Sequence, residues 1–364
     1  MKAKAITTAV AAMLLAAGNA WGVVQYTVTK LDTSGTRICI PTAINNRGQV
    51  VGYTQVNQGK DRAFIWDAVN GFRDLGILGN GTSWANAIND MGEVVGDASS
   101  TNGSDAFIWD KDNGMRSIGS LNPVKTVANW SYAYGINNAG QVTGGSWTGA
   151  KYHPYIWTSG VGMQDITPSS STQATGKAIN SQGTVAGYSF LPAYKAFVWD
   201  SVNGSRQLGD PTGEGTFALG INDVGTVVGW LFRDNGVRNA FVWNASDGVQ
   251  ALGGLGGLRS DSWAFSINKN GTIVGSVNDV NGIGHAVIWD GGSLLDLNSL
   301  IPSGLDLRIW TATGINDSGS IVASSFNASG QWEGLLLTPI PEPATLSLLA
   351  LGGLAVMRRR RLRR

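Results

Sequence analysis

Short apolar runs separated by turns marked with asparagine and glycine recur along the chain from residue 24 to residue 338. One stretch shows the pattern in full: Trp84 to Ile88, Glu93 to Gly96, Ala106 to Asp110 and Met115 to Ile118 are four strand-length segments. Between the first two stands Asn89-Asp90-Met91-Gly92, an Asx-type turn followed by a glycine where φ is expected to be positive. Asn113-Gly114 supplies a later reversal, and Asn70-Gly71 and Asn203-Gly204 repeat it elsewhere.

The same four-segment unit occurs seven times. A small-x-small-Ile-Asn element places its asparagine at Asn45, Asn89, Asn137, Asn180, Asn222, Asn268 and Asn316, at spacings of 44, 48, 43, 42, 46 and 48. An apolar-x-Trp element follows in six units, at Trp66, Trp109, Trp157, Trp199, Trp243 and Trp289. In the seventh unit, Leu335-Leu336-Leu337 keeps the strand and loses the tryptophan. A period of about 45 residues made of short strands is the signature of propeller blades. The expected fold is all-β, a seven-bladed β-propeller of four-stranded blades.

The small residues single out an innermost strand. Ala85 and Ala87, Ala133 and Gly135, and Ala218 and Gly220 stand three and one residues before the isoleucine of their units, as expected where blades crowd toward an axis. The Phe-Ile-Trp strand is apolar on both faces, which predicts burial between neighbouring blades. Val24 to Thr29 forms a strand before any inner-strand element, and the seventh unit ends after its third strand. The N-terminal strand therefore completes the last blade and closes the ring, leaving no terminal edge to pair with another molecule.

Composition agrees with a folded, turn-rich body: 51 glycines and 14 tryptophans in 364 residues. The formal net charge of +1 conceals an uneven distribution. Residues 23–340 hold 18 basic against 24 acidic side chains, a net of about −6, which argues against a nucleic-acid partner. Lys2 and Lys4, the apolar Ala5 to Ala17 and Gly18-Asn19-Ala20 read as a signal peptide over residues 1–20. The propeller is expected over 23–338, with a separate tail over 339–364. The single thiol, Cys39, sits in an apolar run and is expected to be buried.

Two resemblances follow from these residues. The tryptophan strand opens with Arg62-Ala63-Phe64, Asp105-Ala106-Phe107, Lys195-Ala196-Phe197 and Asn239-Ala240-Phe241, with His153-Pro154-Tyr155 and His285-Ala286-Val287 as variants. Together with the Ile-Asn turn, this resembles the HAF-type extracellular repeats, which implies an exported bacterial protein and no particular activity. The tail has Pro341-Glu342-Pro343, an apolar segment from Ala344 to Met357 and an arginine-rich end, Arg358 to Arg364. It is similar to the PEP-CTERM sorting tails. That likeness implies an exosortase-type processing protease as partner, transient membrane contact through the tail and an exopolysaccharide-making Gram-negative host.

Candidate chemistry is sparse. His153 and His285 occupy equivalent positions, which predicts a structural role in the repeat, and neither lies in a nucleophile-elbow context. Two separated histidines and one thiol are too few for a zinc site, so neither metal nor cofactor is expected. Asp67, Asp110, Asp200 and Asp290 follow the strand tryptophan, while Asp90, Asp223 and Asp317 follow the repeat asparagine; both sets are expected to cap turns. Asp110-Lys111-Asp112-Asn113-Gly114 is only a fragment of a calcium loop. Glu214 is the best acid outside the repeat register. The aromatics at the start of the inner strands, Trp84, Trp130, Tyr132, Phe217, Trp263 and Trp310, are the candidate ligand-binding residues, because flat apolar rings beside fixed polar groups suit sugars. The expected function is a non-catalytic surface or extracellular-matrix protein whose propeller binds a glycan, such as exopolysaccharide, or a surface protein. The alternative is a propeller hydrolase or lyase acting on extracellular polysaccharide.

Overall fold

The computed structural model describes residues 24–341, except 33–37, 57–59, 80, 102, 123, 125–128, 192–193, 210–212, 234–235, 257–259 and 327–329. The expected signal peptide, Glu342, Pro343 and the rest of the tail lie outside the described residues.

Each repeat folds as an antiparallel meander. In repeat two the strands are Ser83–Ile88, Val94–Ser100, Gly103–Asp110 and Gly114–Ser117, close to the limits expected from the pattern. Gly92 and Gly114 take φ of 86° and 69°, so both reversals use the left-handed conformation that glycine adopts without steric cost. The closing strand is also as expected. Gln25–Lys30 pairs antiparallel with Trp332–Ile340 from Gln25↔Ile340 to Lys30↔Leu335, and Lys30 Nζ meets Glu333 Oε1 at 2.9 Å.

The hydrogen bonding corrects the expected count. It divides the strands into five separate four-stranded blades and one eight-stranded sheet, so the separate blades number five and not seven. The cause is local. The inner strand of repeat three, Asn129–Ile136, starts early enough for Asn129 and Trp130 to pair in parallel with Gly103 and Ser104 of repeat two. Repeats two and three are thereby welded at one end.

Seven asparagines close the ring of repeats. Each Nδ2 donates to the main-chain carbonyl of the next repeat's asparagine: Asn45 to Asn89, Asn89 to Asn137, Asn137 to Asn180, Asn180 to Asn222, Asn222 to Asn268, Asn268 to Asn316, and Asn316 back to Asn45, at 2.9–3.2 Å. The Oδ1 of the same residue caps its own turn, as Asn137 does for the N–H groups of Ala139 and Gln141. One buried side chain thus satisfies both its own turn and its neighbour's carbonyl, which explains why the residue does not vary between repeats.

The core lies between repeats. Phe64, Phe107, Phe197 and Phe241 are fully buried on the third strands, and Trp66, Trp109, Trp243 and Trp289 are buried as expected. Trp157 and Trp199 pack only at its margin. Cys39 is buried.

Candidate functional site

Every inner strand carries a β-bulge. The register slips between Pro41 and Ala43, Ala85 and Ala87, Ala133 and Gly135, Gly176 and Ala178, Ala218 and Gly220, Ala264 and Ser266, and Ala312 and Gly314. A bulge re-aims the unpaired side chain. Here the skipped residues are Thr42, Asn86, Tyr134, Lys177, Leu219, Phe265 and Thr313, and all seven line the axial channel. The channel is therefore walled by the position that varies, framed by the two that stay small.

The second strand accommodates the bulge with glycine. At Gly96, Gly144 and Gly229, an added Cβ would run into the main-chain carbonyl of Trp84, Tyr132 and Phe217 respectively. Repeat seven has Ala323 there, and its inner strand carries a second register shift, between Ile309 and Thr311.

The two ends of the channel differ. One is the asparagine ring, whose next residues link neighbouring repeats. Asp90 Oδ1 accepts from the Asn46 N–H, Asp223 Oδ1 from Ser181 and Asp317 Oδ1 from Lys269. These aspartates were expected to cap their own turns; they reach across to the neighbouring repeat because the asparagine already caps the turn. Burial works against the charge of Asp90, yet hydrogen bonds from Asn138 and Asn46 hold its carboxyl below the usual range.

The other end opens at the weld between repeats two and three, in a cleft of about 510 Å³ lined by Trp84, Asp97, Ser99, Gly103, Ser104, Trp130, Tyr132 and Tyr134. Trp84 is the cross-strand partner of Asp97 and donates from Nε1 to Asp61 Oδ2 at 2.8 Å. Trp130, 40% exposed, leans on Trp147 with centroids 6.2 Å apart. Trp147 meets Tyr152 edge-on at 5.1 Å, Tyr152 lies 6.1 Å from Tyr132, and Tyr132 stacks on Tyr134 at 6.3 Å. A file of rings thus descends from the surface to the channel.

Asp97 is the acid of this cleft. Its carboxylate accepts from Asn86 Nδ2 at 3.1 Å and, at the long limit of 3.5 Å, from Ser104 Oγ. Burial pushes its pKa up to about 6, against the opposing pull of Asn86, Ser104 and the Lys177 charge. Lys177 stands in the channel wall, accessible to solvent yet ringed by protein, with Nζ 3.5 Å from the centre of the Tyr134 ring. Desolvation pulls its pKa down to about 8, partly offset by Asp97.

The structure therefore brings Trp84, Trp130 and Tyr132 together and sets the other three sequence candidates apart. Phe217 is buried, stacked on Trp230 at 3.9 Å and flanked by Tyr188 and Tyr194. Trp263 lies beside Arg238, and Trp310 beside Phe326 and Arg308. Sequence reasoning missed Asp97, Tyr134 and Lys177. The signal available was the variable residue inside each small-x-small triplet, and the residue after the second-strand glycine.

The remaining titratable candidates are engaged elsewhere. His153 Nδ1 meets Asp165 at 2.6 Å and His285 Nδ1 meets Asp296 at 2.7 Å, each across to the outer strand of its own repeat. Asp67, Asp110 and Asp200 cap the turns that follow them. The fragmentary calcium loop is used in this way: Asp110 accepts from the Asp112 and Asn113 N–H groups and pairs with Arg116 at 2.8 Å. Asp290, expected to cap its turn as well, accepts instead from Thr272 Oγ1 at 3.3 Å, because its reversal is the two-residue Gly291-Gly292 turn. Glu214 is exposed and does not line the cleft. Among the described residues, no group of three or more His, Cys, Asp or Glu side chains is arranged to hold a metal ion.

Comparison with known proteins places the two parts of the chain separately. Residues 339–361 match the PEP-CTERM protein-sorting motif, which implies export, C-terminal sorting and processing by an exosortase. No curated protein matches the chain. The body is similar in fold to oligogalacturonate lyase from Vibrio parahaemolyticus, at 12% identity and a TM-score of 0.57 over 88% of this chain and 98% of that one. It is also similar to a puromycin-hydrolysing peptidase from Mycobacterium tuberculosis, at 12% identity and a TM-score of 0.54 over 86% of this chain and 56% of that one. Identities this low show a shared propeller fold alone.

Proposed function

We propose that this is a non-catalytic surface or extracellular-matrix protein, sorted by an exosortase, that binds an extracellular glycan in the cleft at the weld. Its repeats are of the HAF type, and repeats two and three act as two blades of a seven-bladed ring despite their shared sheet. The observation that carries the reading is the cleft itself. Trp84, Trp130, Tyr132 and Tyr134 offer flat apolar faces, while Asp97, Ser99 and Ser104 offer fixed polar groups within one 510 Å³ space. Sugars are recognised by this combination of ring stacking and a few oriented hydrogen bonds.

Asp97 favours a second reading, a hydrolase or lyase for polysaccharide, because a carboxyl with a pKa near 6 is poised for proton transfer. Hydrolysis by the usual carboxylate pair needs a second acid facing the first, and Asp97 is the one acid among the residues lining the cleft. The binding reading is preferred over hydrolysis on that ground, and product analysis separates it from a lyase.

The test is retention of the host's exopolysaccharide and of an array of oligosaccharides by the full-length chain. Wild type is expected to retain at least one glycan and to release no product, and Trp84→Ala is expected to lose it. Shortened products that vanish in Asp97→Asn would establish the second reading. A folded wild type that retains no glycan and releases no product would end both.

A further inference from the structure

The channel below the cleft holds one charged side chain among its lining residues, and it is a cation. Lys177 replaces the Thr42, Leu219 or Phe265 of other repeats at the bulge position, and the bulge aims it inward. Its ammonium rests 3.5 Å over the Tyr134 ring. Among the described residues it has no hydrogen-bond acceptor and no ion-pair partner within about 4 Å; the attraction of Asp97 acts from farther away. The nearest polar neighbours are engaged. Thr42 donates to the Ala85 carbonyl, Thr313 to the Pro41 carbonyl, and the Asn86 amide to Asp97 and the Ala133 carbonyl.

An ammonium ringed by protein exchanges part of its bulk solvation for whatever fills the channel, and an acceptor of opposite charge suits its three donors better than a neutral one. The cation–π contact with Tyr134 uses one side of the group and leaves the donors facing open space of about 480 Å³. Tyr134 lines both the cleft and the channel, so an occupant stacked in the cleft reaches this ammonium without leaving the aromatic file.

We propose that Lys177 is an anion-binding subsite, and that the glycan held in the cleft is acidic, with a carboxylate- or sulfate-bearing sugar placed at the channel mouth. The inference rests on the glycan reading above and narrows it to a class of glycan. The carboxylate or sulfate replaces the acceptor that the protein does not supply. A charge-assisted hydrogen bond inside protein walls is stronger than its equivalent in open water. Asp97 works in the opposite sense and disfavours an anion placed high in the cleft, so the acidic group is assigned to the channel side of Tyr134.

The experiment compares the full-length wild type with Lys177→Gln on three probes: an oligo-uronide, the same oligosaccharide with its carboxyls reduced to alcohols, and a sulfated oligosaccharide. Free glucuronate and inorganic sulfate, followed by their shift of the melting temperature, form a second arm. Wild type is expected to bind the charged oligomers about tenfold or more tightly than the reduced one, the size of a charged hydrogen bond. Lys177→Gln is expected to abolish that preference, bringing the charged oligomers' affinity down to that of the reduced one. The ratio of uronide to sulfated binding identifies which acid the subsite takes. Equal binding of charged and reduced oligomers by wild type, or a preference that survives in Lys177→Gln, overturns the proposal. If glucuronate or sulfate raises the melting temperature of wild type and not of Lys177→Gln while no oligomer is retained, the anion subsite stands and the glycan reading falls. If neither small anion nor any oligomer is held, the subsite falls as well.

Discussion

The two ends of the axial channel are built from the same seven strands and have opposite characters. At the asparagine end, every repeat contributes the same residue in the same geometry, and each link satisfies the next until the last returns to the first. Each ring amide is engaged with the carbonyl of the next repeat, so this end is organised around contacts within the ring. At the cleft end the repeats diverge: aromatic in some, threonine or isoleucine in others, with Asp97 in one and Trp230, Gly145 or Ser276 in its place elsewhere. Agreement between repeats marks the architecture, and disagreement marks where we propose that a ligand fits. The cleft also lies where the regular spacing of blades is broken by the parallel weld.

The comparison predicts a graded series of effects. The largest belongs to the asparagine ring. Asn137→Ala removes two turn caps and leaves the Asn180 carbonyl with the Gly183 N–H as its remaining donor. A stability loss of about 2–4 kcal/mol is expected in urea unfolding, with ligand affinity unchanged in the folded fraction. A loss under about 1 kcal/mol, the size of a single cap, would break the claim that the ring is structural.

Next comes the glycine opposite each bulge. Gly229→Ala drives a Cβ into the Phe217 carbonyl and is expected to cost about 1–3 kcal/mol, as overpacking does. An unchanged midpoint would show that the second strand simply moves away.

Asp97 sharpens the contrast through pH. Its folded pKa of about 6 exceeds the ordinary value of 3.8, so the native state holds the proton more tightly than the unfolded chain. The stability tied to that proton is full below about pH 4 and is lost as pH rises through 6. Asp97→Asn is expected to flatten stability between pH 4 and 7 and to stabilise the protein at pH 7 by up to about 3 kcal/mol, a net figure in which the attraction to Lys177 is already counted. Retention of the full pH dependence in the variant would assign it to other groups.

The smallest effect on folding, and the largest on binding, belongs to Trp130. The side chain is exposed and touches mainly Trp147, so Trp130→Ala should change stability by no more than about 0.5–1 kcal/mol. Loss of glycan retention at unchanged stability would separate the two ends of the channel cleanly.

Much of this was legible in the sequence. The asparagine period located seven repeats, the small residues flanking the bulge identified the inner strand, and the strand before the first repeat pointed to closure by Gln25–Lys30. The site was half legible. The start of the inner strand is the right level of the molecule, but whether an aromatic there is open depends on the residue paired with it. Trp230 stacks on Phe217 and buries it, whereas Asp97 opposite Trp84 leaves an open polar space. That pairing joins residues 13 apart across a bulge whose register the sequence does not announce. The weld between repeats two and three was equally hidden, because it depends on how early one strand begins. Lys177 stood in plain view between two small residues; only the bulge explains why it faces the channel.

Hydroxyl-radical footprinting of the full-length chain, with and without a retained oligosaccharide, tests the central claim most directly. The two ends carry matched reporters: Trp130, 40% exposed, at the cleft, and Met91, 58% exposed, in the turn at the asparagine ring. The account predicts that the glycan protects Trp130 and Trp84 from oxidation and leaves Met91 unchanged. Protection of Met91 with Trp130 still oxidised at its free rate would place the ligand at the wrong end and contradict it.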